Sequence, residues 1–587
     1  MTLTQLQAGP FQALFDSATA FLRYVRIGQH EAVRAIYPAV RDQDWNTVPY
    51  ELYDLRCDQA ADSFTVSFAA RSQRADIPFD WHGTITGSTD GRIAYRFRGQ
   101  ARAPFLRNRI GLCVLHPIEP CAGQSCTVAH VDGSVSQGIF PATVAPDQPF
   151  LNVRSMQHRL GPGLDVRVTF SGETFETEDQ RNWSDGSYKT YGTPLELPFP
   201  VEVPAGTEIE QTVLIEVVGS PAPAHAGSAA REQVPRITVN WDGRQPRPNL
   251  GLQLGPTTGH RSPEVIQSLS HLRPDHLRVD LTFAGQPWEA QWHDAIQLAQ
   301  QIGCQLEVAL HVDQTTIANL QPVLSQLVRS PATIARWLVY DRASEATPEW
   351  LSTWATRNLV PIAPSIPVVV GTNAFFAELN RHWPHPIAGH PVCFTINPQV
   401  HGSDKLTIIE TLESHRWLVD TVSHRLNTTS VISPITLKPR FNPNATSGTA
   451  DAEAARQESI DDRQSTGFVA AWTAAVLAGL MSDPQVTSLT LYEIAGPLGI
   501  MADDGQLWPV AEVLAALLGS AEVAPSTTTH PLEISAAGLV SSDGTRRVLM
   551  ANLTLDDQTV AVTDASGEIR HAKVAAESIS MISEGMA

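Results

Sequence analysis

Apolar, strand-like runs recur eight times in the second half of the chain, and helical stretches separate most of them. The runs read NLGLQLG (249), HLRVDLT (276), QLEVALHV (305), RWLVYD (336), IPVVVG (366), PVCFTIN (391), SVISPITL (429) and VTSLTLYE (486). Both faces of each run are apolar, as in strands that packed side chains cover on one side and helices on the other. This repetition predicts a closed (β/α)8 barrel of the TIM type, which we place at residues 236–520.

Two regions with a different pattern of apolar and polar residues flank the predicted barrel. Residues 1–218 carry short alternating or β-branched runs bounded by Gly, Pro, Asn or Asp, which predicts an antiparallel β-sandwich. Residues 219–235 are rich in Ala, Pro and Gly and predict a linker. Apolar and polar residues alternate again at residues 521–587, which predicts a small C-terminal β-domain. With 587 residues, the chain is expected to be a multidomain protein of mixed α/β and β class.

The charge balance excludes several kinds of partner. The chain has 61 acidic and 41 basic side chains, a formal net charge of -20, and no basic run, so we expect neither nucleic acid nor membrane as a partner. The first residues lack the pattern of a secretion signal, which favours a soluble cytoplasmic protein. The six cysteines lack CxxC spacing, and no HxH or HExxH motif occurs. We therefore expect no metal and no cofactor.

Polar side chains stand at the predicted carboxyl ends of the barrel strands, where the loops of such barrels carry their chemistry. Glu493 is the strongest candidate, because it closes an apolar strand directly before a turn and is expected to face the barrel mouth. Further candidates lie at or just beyond the strand ends: Arg278, Asp280, His311, Asn373, Glu378, Asn380, Asn397, His401, Lys438 and Arg440.

The residue types at these ends favour one reaction class over another. A retaining glycosidase needs two carboxylates about 5 Å apart. The fourth strand could supply Asp341 or Glu345, but the seventh is followed by Lys438 and Arg440 rather than by a carboxylate. Cationic and amide donors suit the stabilisation of an oxyanion on a carbonyl. Since no GxSxG elbow occurs, the pattern indicates direct attack by water with the help of a general base.

The stretch EDQRNWSDGSYKTY, residues 178–191, is the densest mixture of charge and aromatic rings in the N-terminal region. One interpretation is an ion-pair network that braces the sandwich against the barrel. The other is contact with a polyhydroxylated ligand, for which aromatic rings offer platforms. Both remain open, and the stretch supplies four secondary candidates: Glu178, Asp179, Arg181 and Asn182.

Several long motifs resemble the D-apionate lactonase family of bacterial apiose catabolism. They are RNRIGLCVLHP, EDQRNWSDGSYKTY, GTNAFFAELNR, FTINPQVHGSD, SPITLKPRFNPNAT and LYEIAGPLGI, and the resemblance covers most of residues 20–505. It implies a β-sandwich, a barrel and a small C-terminal β-domain, as predicted above. It also implies a small-molecule sugar lactone as substrate and hydrolysis of D-apionolactone to D-apionate.

These observations lead to a mechanistic hypothesis. Glu493 activates water, and Lys438 or Arg440, together with Asn373, stabilises the oxyanion. His401 or His311 protonates the leaving ring oxygen. The remaining candidates are expected to bind substrate hydroxyls: Arg278, Asp280, Glu378, Asn380 and Asn397.

Two alternative functions remain. One is a glycoside hydrolase acting on a branched or modified sugar, in which Asp341, Glu345 and Glu493 supply the carboxylates. The other is a non-catalytic carbohydrate-binding protein, in which the barrel rim only holds ligand.

Overall fold

The computed structural model describes residues 3–219, 234–256, 261–283, 288–330, 333–445, 452–563 and 567–583. Most of the predicted linker, residues 219–235, lies outside these ranges. The chain divides into two compact units. The first comprises residues 1–181, 186–231 and 444–450, and the second comprises residues 182–185, 232–443 and 451–587. None of the helices in the described ranges has the length and apolar character needed to cross a membrane.

The first unit consists mainly of antiparallel strands. Their bounds are Leu3–Ala8 (β1), Phe11–Asp16 (β2), Phe21–Ile27 (β3), His30–Arg41 (β4), Tyr50–Gln59 (β5), Phe64–Ser72 (β6), Phe79–Ser88 (β7), Arg92–Ala101 (β8), Phe105–Arg107 (β9), Arg109–Pro117 (β10), Ser125–His130 (β11), Val135–Ile139 (β12), Phe150–Gly161 (β13), Leu164–Ser171 (β14), Phe175–Asp179 (β15), Ser187–Tyr191 (β16), Val201–Val203 (β17) and Glu208–Val218 (β18). A short helix, Ile118–Cys121 (α1), follows β10.

One large sheet contains most of these strands. Its order is β1-β2-β3-β4-β10-β16-β15-β13-β14-β18-β8-β7-β6-β5, with β11 and β12 attached at β13. Alternate residues of β7 and β8 are buried, as expected of strands that cover a core with one face. β1, at one end of the order, contacts β6 and β7 near the other end. The predicted antiparallel architecture of this region is confirmed.

The second unit contains the remaining strands. Their bounds are Arg236–Val239 (β19), Gln245–Pro246 (β20), Asn249–Gln253 (β21), His276–Thr282 (β22), Gln305–Val312 (β23), Ile334–Asp341 (β24), Val368–Gly371 (β25), Val392–Ile396 (β26), Ser430–Ile435 (β27), Val486–Glu493 (β28), Glu522–Ala524 (β29), Ser526–Thr528 (β30), Ile534–Val540 (β31), Arg546–Asn552 (β32), Gln558–Thr563 (β33), Ile569–Val574 (β34) and Ser578–Ser583 (β35).

Helices connect the barrel strands of this unit. Their bounds are Pro263–Leu272 (α2), Trp288–Ile302 (α3), Gln321–Val328 (α4), Glu349–Ile362 (α5), Phe376–Arg381 (α6), Lys405–Glu410 (α7), His415–Leu426 (α8), Ala452–Glu458 (α9), Gly467–Met481 (α10) and Pro509–Leu518 (α11). Short 3-10 turns occur at Gln180–Trp183, Trp241–Gly243, Ile317–Asn319 and Thr411–Glu413.

Strands β21 to β28 close into a parallel barrel. β21 pairs in parallel with both β22 and β28, which completes the cylinder. Each of the apolar runs singled out in the sequence supplies one of these strands, so the predicted TIM-type barrel is confirmed. α10 is apolar around nearly its whole circumference, and such a helix must be buried on all sides. It contacts α8, α11 and the C-terminal strands β31, β32 and β35.

The C-terminal strands form two small sheets, and each sheet also contains a strand that precedes the barrel in the sequence. β19 pairs antiparallel with β30 and parallel with β33, and β20 pairs with β29. Ile237 and Val239 join an apolar core with side chains of β31 to β34. β19 lies in the range predicted for the barrel. Its partner strands, however, lie in the range predicted for the C-terminal domain.

Candidate active site

A cavity of about 390 Å³ lies at the carboxyl ends of the barrel strands. Seven of the sequence-predicted site residues line it: Arg278, Asp280, His311, Asn373, Lys438, Arg440 and Glu493. Other residues in its wall include Gln253, Gly255, Asp294, Glu345, Thr436, Phe441, Arg456, Gln464 and Tyr492.

The alternation of side chains along the strands brings Asp280 and His311 together. Side chains on a strand alternate between its two faces, so His276, Arg278 and Asp280 share one face of β22. On β23, Glu307 and His311 likewise share a face. The parallel register sets Thr282 beside His311, and the His311 Nε2 atom lies 2.8 Å from the Asp280 Oδ1 atom.

Arg278 is a fully buried cation at the base of the cavity. Its Nη2 atom donates to Asp280 Oδ1 at 2.7 Å and to Asn373 Oδ1 at 2.6 Å. Its Nη1 atom donates to the backbone oxygen and the hydroxyl of Ser433, both at 2.9 Å. Burial alone would lower the pKa of Arg278, but the charge of Asp280 outweighs it and raises the pKa above its ordinary value. Arg278 thus stays charged and fixes Asp280 and Asn373.

His311 lies between two carboxylates. Its Nε2 atom contacts Asp280, and its Nδ1 atom lies 3.3 Å from the Glu345 Oε2 atom. Burial disfavours the charged ring, but the hydrogen bonds to Asp280 and Glu345 outweigh burial and raise the pKa of His311 to about 9. Burial would likewise raise the pKa values of both carboxyls, yet Arg278 and His311 hold them below their ordinary range. At neutral pH the ring is therefore an imidazolium between two carboxylates.

Asn373 connects Arg278 and Glu345 to Arg440 through hydrogen bonds. Its Nδ2 atom donates to Glu345 Oε2 at 2.8 Å, while its Oδ1 atom accepts from both Arg278 and Arg440. Burial and repulsion from Arg278 lower the pKa of Arg440. Within the described ranges Arg440 forms hydrogen bonds through Nη2 alone, so its Nε and Nη1 hydrogens are available to a ligand.

Glu493 lies at the end of β28 and forms a two-point ion pair with Arg456 of α9. The Arg456 Nη2 atom donates to Glu493 Oε2 at 2.7 Å, and its Nη1 atom donates to Oε1. Gly255 approaches the same carboxylate so closely that an added Cβ atom would lie 2.7 Å from Glu493 Oε2. A carboxylate held by a planar guanidinium has a fixed orientation but keeps a second lone pair on each oxygen.

The charges in the cavity wall differ from those of the whole chain. Among the residues that the structure describes, five cations line the cavity, counting protonated His311: Arg278, His311, Lys438, Arg440 and Arg456. The four carboxylates of this described wall are Asp280, Asp294, Glu345 and Glu493. The wall thus carries a surplus of one positive charge, although the chain has a formal charge of -20. Lys438 donates to the backbone oxygen of Ile460 at 2.6 Å, which holds its ammonium group in place.

A buried polar layer supports this group from inside the barrel. Glu307 is fully buried and accepts from Arg336 at 2.8 Å and from Thr490 at 2.9 Å. It also accepts from the hydroxyl of Ser433, which in turn accepts from Arg278. Burial alone would raise the pKa of Glu307, but the surrounding cations lower it to about 2. The layer therefore fixes Arg278 from below.

Other predicted candidates lie elsewhere in the second unit. The Nδ1 atom of His401 lies 2.6 Å from Asp185 Oδ2, and its ring packs edge-on against Trp183. Asn380 donates to Asn182 Oδ1 at 2.8 Å. Among the described residues, neither His401 nor Asn380 lines the cavity.

Glu378 and Asn397 are both largely enclosed. Burial raises the pKa of Glu378 to about 7. Asn397 lines a small recess beside the main cavity.

The three secondary candidates of the first unit are occupied by ion pairs. Arg181 donates to Asp179 through Nε at 2.9 Å and through Nη2 at 2.7 Å, and both side chains are fully buried. Lys189 lies 2.5 Å from Glu178.

Three charged residues of the described cavity wall, Asp294, Glu345 and Arg456, are not among the site residues that the sequence predicts. Asp294 lies within α3, away from any strand end. Arg456 lies on a helix before β28, and no strand end marks it. For Glu345 the sequence predicts only the role of a glycosidase carboxylate, although this residue follows β24 and so carries the same strand-end signal as His311. In the ranges that the structure describes, no group of three or more His, Cys, Asp or Glu side chains is arranged to hold a metal ion.

Comparisons with known proteins place the chain in a family. The family model of the D-apionate lactonase N-terminal domain matches residues 1–220, and that of the D-apionate lactonase TIM barrel domain matches residues 250–522. The D-apionate lactonase of Brucella anthropi is 30% identical over 528 residues, which cover 86% of this chain and 84% of the relative.

Two solved structures show weaker likeness. The GH51 arabinofuranosidase from Xanthomonas axonopodis pv. citri has a TM-score of 0.40 at 11% identity and covers 59% of this chain and 99% of its own. The GH30 endoxylanase from Clostridium papyrosolvens has a TM-score of 0.35 at 12% identity and covers 59% and 98%. Such low scores carry no argument about activity. On the family models and the curated relative, the chain belongs to the D-apionate lactonase family.

Proposed function

We propose that this protein hydrolyses a sugar-acid lactone, D-apionolactone or a related aldonolactone, to the free acid. The hydrolysis of an ester by water needs a base, donors for the oxyanion and an acid for the leaving oxygen. The observation that carries the proposal is that one cavity holds all three: the carboxylate of Glu493, the guanidinium of Arg440 and the imidazolium of His311. Membership of the D-apionate lactonase family supports the same reaction.

Glu493 is the proposed general base. Arg456 occupies one lone pair on each of its carboxylate oxygens, so the carboxylate is fixed in one plane. A remaining lone pair accepts a proton from water as the water attacks the carbonyl. Gly255 lies beside this carboxylate, where a larger residue would clash with it.

Arg440 is the proposed oxyanion donor. Its Nη2 atom is held by Asn373, and its other N–H groups have no partner among the described residues. Buried donors that already point at the developing charge need no reorganisation during the reaction. Lys438 adds positive charge to the same wall, but its ammonium group is held by the carbonyl of Ile460.

His311 is the proposed acid for the leaving ring oxygen. Its raised pKa keeps the ring protonated at neutral pH. The Nδ1–H bond to Glu345 is the longer of its two contacts, at 3.3 Å against 2.8 Å to Asp280. Nδ1–H is therefore the proton that the site releases more readily. We assign this role to His311 rather than to His401, which contacts Asp185 outside the described cavity wall.

A panel of aldonolactones, followed by acid release with and without a chelator, tests the proposal. Aryl glycosides run in parallel address the glycosidase alternative, and Glu493→Gln with a buffer blank corrects for spontaneous opening. Lactone opening well above the blank, without release of the aryl group, is the expected result. Glycoside cleavage without lactone opening would overturn it, as would tight binding of sugar acids with no turnover of any substrate.

A further inference from the structure

Glu345 has a backbone conformation that glutamate rarely adopts. Its φ angle is +50°, in the left-handed region, where a Cβ atom is crowded and glycine or asparagine is usual. The residue ends a turn after β24, in which its N–H group donates to the backbone oxygen of Asp341 at 2.8 Å. Glycine would serve the turn itself at a lower cost. An unfavourable conformation of this kind points to a role for the side chain.

The loop after β25 holds Glu345 through both its backbone and its side chain. The backbone N–H of Asn373 donates to the backbone oxygen of Glu345 at 2.7 Å, and the Thr372 hydroxyl donates to the same oxygen at 3.2 Å. The Asn373 Nδ2 atom also donates to Glu345 Oε2 at 2.8 Å. These three bonds fix the carboxylate, although it stands at the end of a long side chain.

The fixed carboxylate lies at one edge of the His311 ring, and Asp280 lies at the other. Glu345 Oε2 is 3.3 Å from Nδ1, and Asp280 Oδ1 is 2.8 Å from Nε2. Other titratable groups around the ring and its two carboxylates are Arg278 of β22, Tyr340 of β24 and Arg440 beyond β27. A guanidinium has no acceptor atom, and the Tyr340 hydroxyl donates to Cys393. None of these groups therefore replaces Glu345 as the acceptor at Nδ1.

The two ring contacts differ in what they leave to the reaction. Arg278 fixes Asp280, which keeps the Nε2–H group. Nδ1–H is the proton that the proposed mechanism releases, and it lies beside Glu345 in the cavity wall. Burial would lower the pKa of His311, but the hydrogen bonds to Asp280 and Glu345 raise it to about 9. Loss of the Glu345 carboxylate should therefore lower this pKa.

We propose that Glu345 is a positioning residue for the proposed acid, because its carboxylate holds the Nδ1–H group of His311 at the cavity wall. The left-handed backbone of Glu345 and the hydrogen bonds from Asn373 place this carboxylate. The inference rests on the proposed lactone hydrolysis and adds a residue that acts through His311 and not on the substrate.

The pH dependence of turnover tests this role. Glu345→Gln keeps the size of the side chain and removes its charge. We expect the alkaline limb of kcat/KM to move from about pH 9 to lower pH by roughly one unit or more, and kcat to fall about 10-fold. Glu349→Gln is the matched control, since the side chain of Glu349 is 76% exposed, and it should change neither quantity. An alkaline limb at the same pH in Glu345→Gln and the unmodified protein would overturn the proposal.

Glu345→Gly separates the side chain from the turn. Glycine adopts the left-handed conformation without crowding, so this variant is expected to melt at a higher temperature than Glu345→Ala. We nevertheless expect it to show the lower kcat and the displaced alkaline limb of Glu345→Gln. Full activity with an unchanged limb would show that Glu345 only ends the turn, and this result too rejects a positioning role.

An NMR titration of histidine-labelled protein is independent of turnover. The His311 resonance is assigned by its absence from His311→Gln. We expect a pKa of about 9 in the unmodified protein and a lower pKa in Glu345→Gln. If the unmodified protein opens no lactone, the proposed reaction fails, while the lower pKa in the variant still supports the arrangement of His311 by Glu345. Equal pKa values in the two proteins contradict that arrangement.

Discussion

The chain has two dense groups of buried charged side chains. They differ in whether their hydrogen-bond donors are bound by protein groups or are left over toward a cavity. In the first unit, Arg181 donates to Asp179 and to the backbone oxygens of Pro141, Ala142 and Thr143. All of its nitrogens are engaged by protein. In the barrel, two nitrogens of Arg440 have no hydrogen-bond partner among the described residues, and the described part of the wall around it has a surplus of positive charge. Donors left over toward a cavity, rather than the density of charged residues, distinguish a candidate site.

Replacing the proposed base gives the largest expected effect on turnover. Glu493→Gln keeps the shape of the side chain but cannot accept the proton of water, so we expect kcat for lactone opening to fall by about 100- to 10,000-fold. Initial rates of acid release measure it, and an unchanged melting temperature shows that the barrel is intact. Full activity in this variant would remove Glu493 from the mechanism and weaken the contrast between the two groups.

His311 allows a test by pH. Its pKa of about 9 predicts that kcat/KM, corrected for spontaneous opening, falls as pH rises through about 9, because the ring loses the proton that it donates. The stabilisation from its carboxylate partners follows the same sign: it is complete below the ordinary pKa of about 6.5 and is lost as pH rises through about 9. His311→Gln is expected to lower kcat about 100-fold and to abolish this alkaline limb. A limb that persists in the variant would assign it to another group.

Arg456 tests whether the orientation of Glu493 matters. Arg456→Lys keeps the positive charge but loses the planar fork that holds both carboxylate oxygens. We expect kcat to fall about 10-fold while KM changes less than about threefold, since Arg456 positions the base and does not bind substrate. Arg456→Met removes the charge as well and should cost more. Equal activity of the Lys and Met variants would contradict a positioning role.

The ion pair of the first unit should have the smallest effect on turnover. Asp179→Asn leaves the buried guanidinium of Arg181 uncompensated, and removing one partner of such a pair typically costs about 3–5 kcal/mol in the free energy of unfolding. We expect a lower unfolding temperature but a kcat within about twofold of the unmodified protein. Hydrogen exchange at β15 and β16 locates the loss. A large decrease in kcat without loss of stability would show that this group also serves the reaction.

Most of the charged residues in the described cavity wall could be predicted from the sequence, for a simple reason. Parallel strands end at the same rim, so Arg278, Asp280 and His311 follow from strand order and periodicity alone. Arg456 could not be found this way, because its helix reaches the rim only through tertiary packing.

The same limit applies to His401 and β19. His401 stands just beyond a strand end like the others, but it pairs with Asp185, which lies 216 positions earlier in the chain. β19 alternates like any strand, and only its distant partners show which sheet it joins.

The pairing of β19 also constrains the order in which the protein can mature at the ribosome. Arg236 and its contact Thr529 are 293 positions apart, and at roughly 5–20 residues per second, translation of that interval takes about 15–60 s. During this interval the backbone N–H and C=O groups at the edges of β19 lack their partner strands, while the barrel is still being synthesised. Unpaired strand edges of this kind can associate with the wrong partner. β19 can therefore complete its sheet only after β30 and β33 have been synthesised.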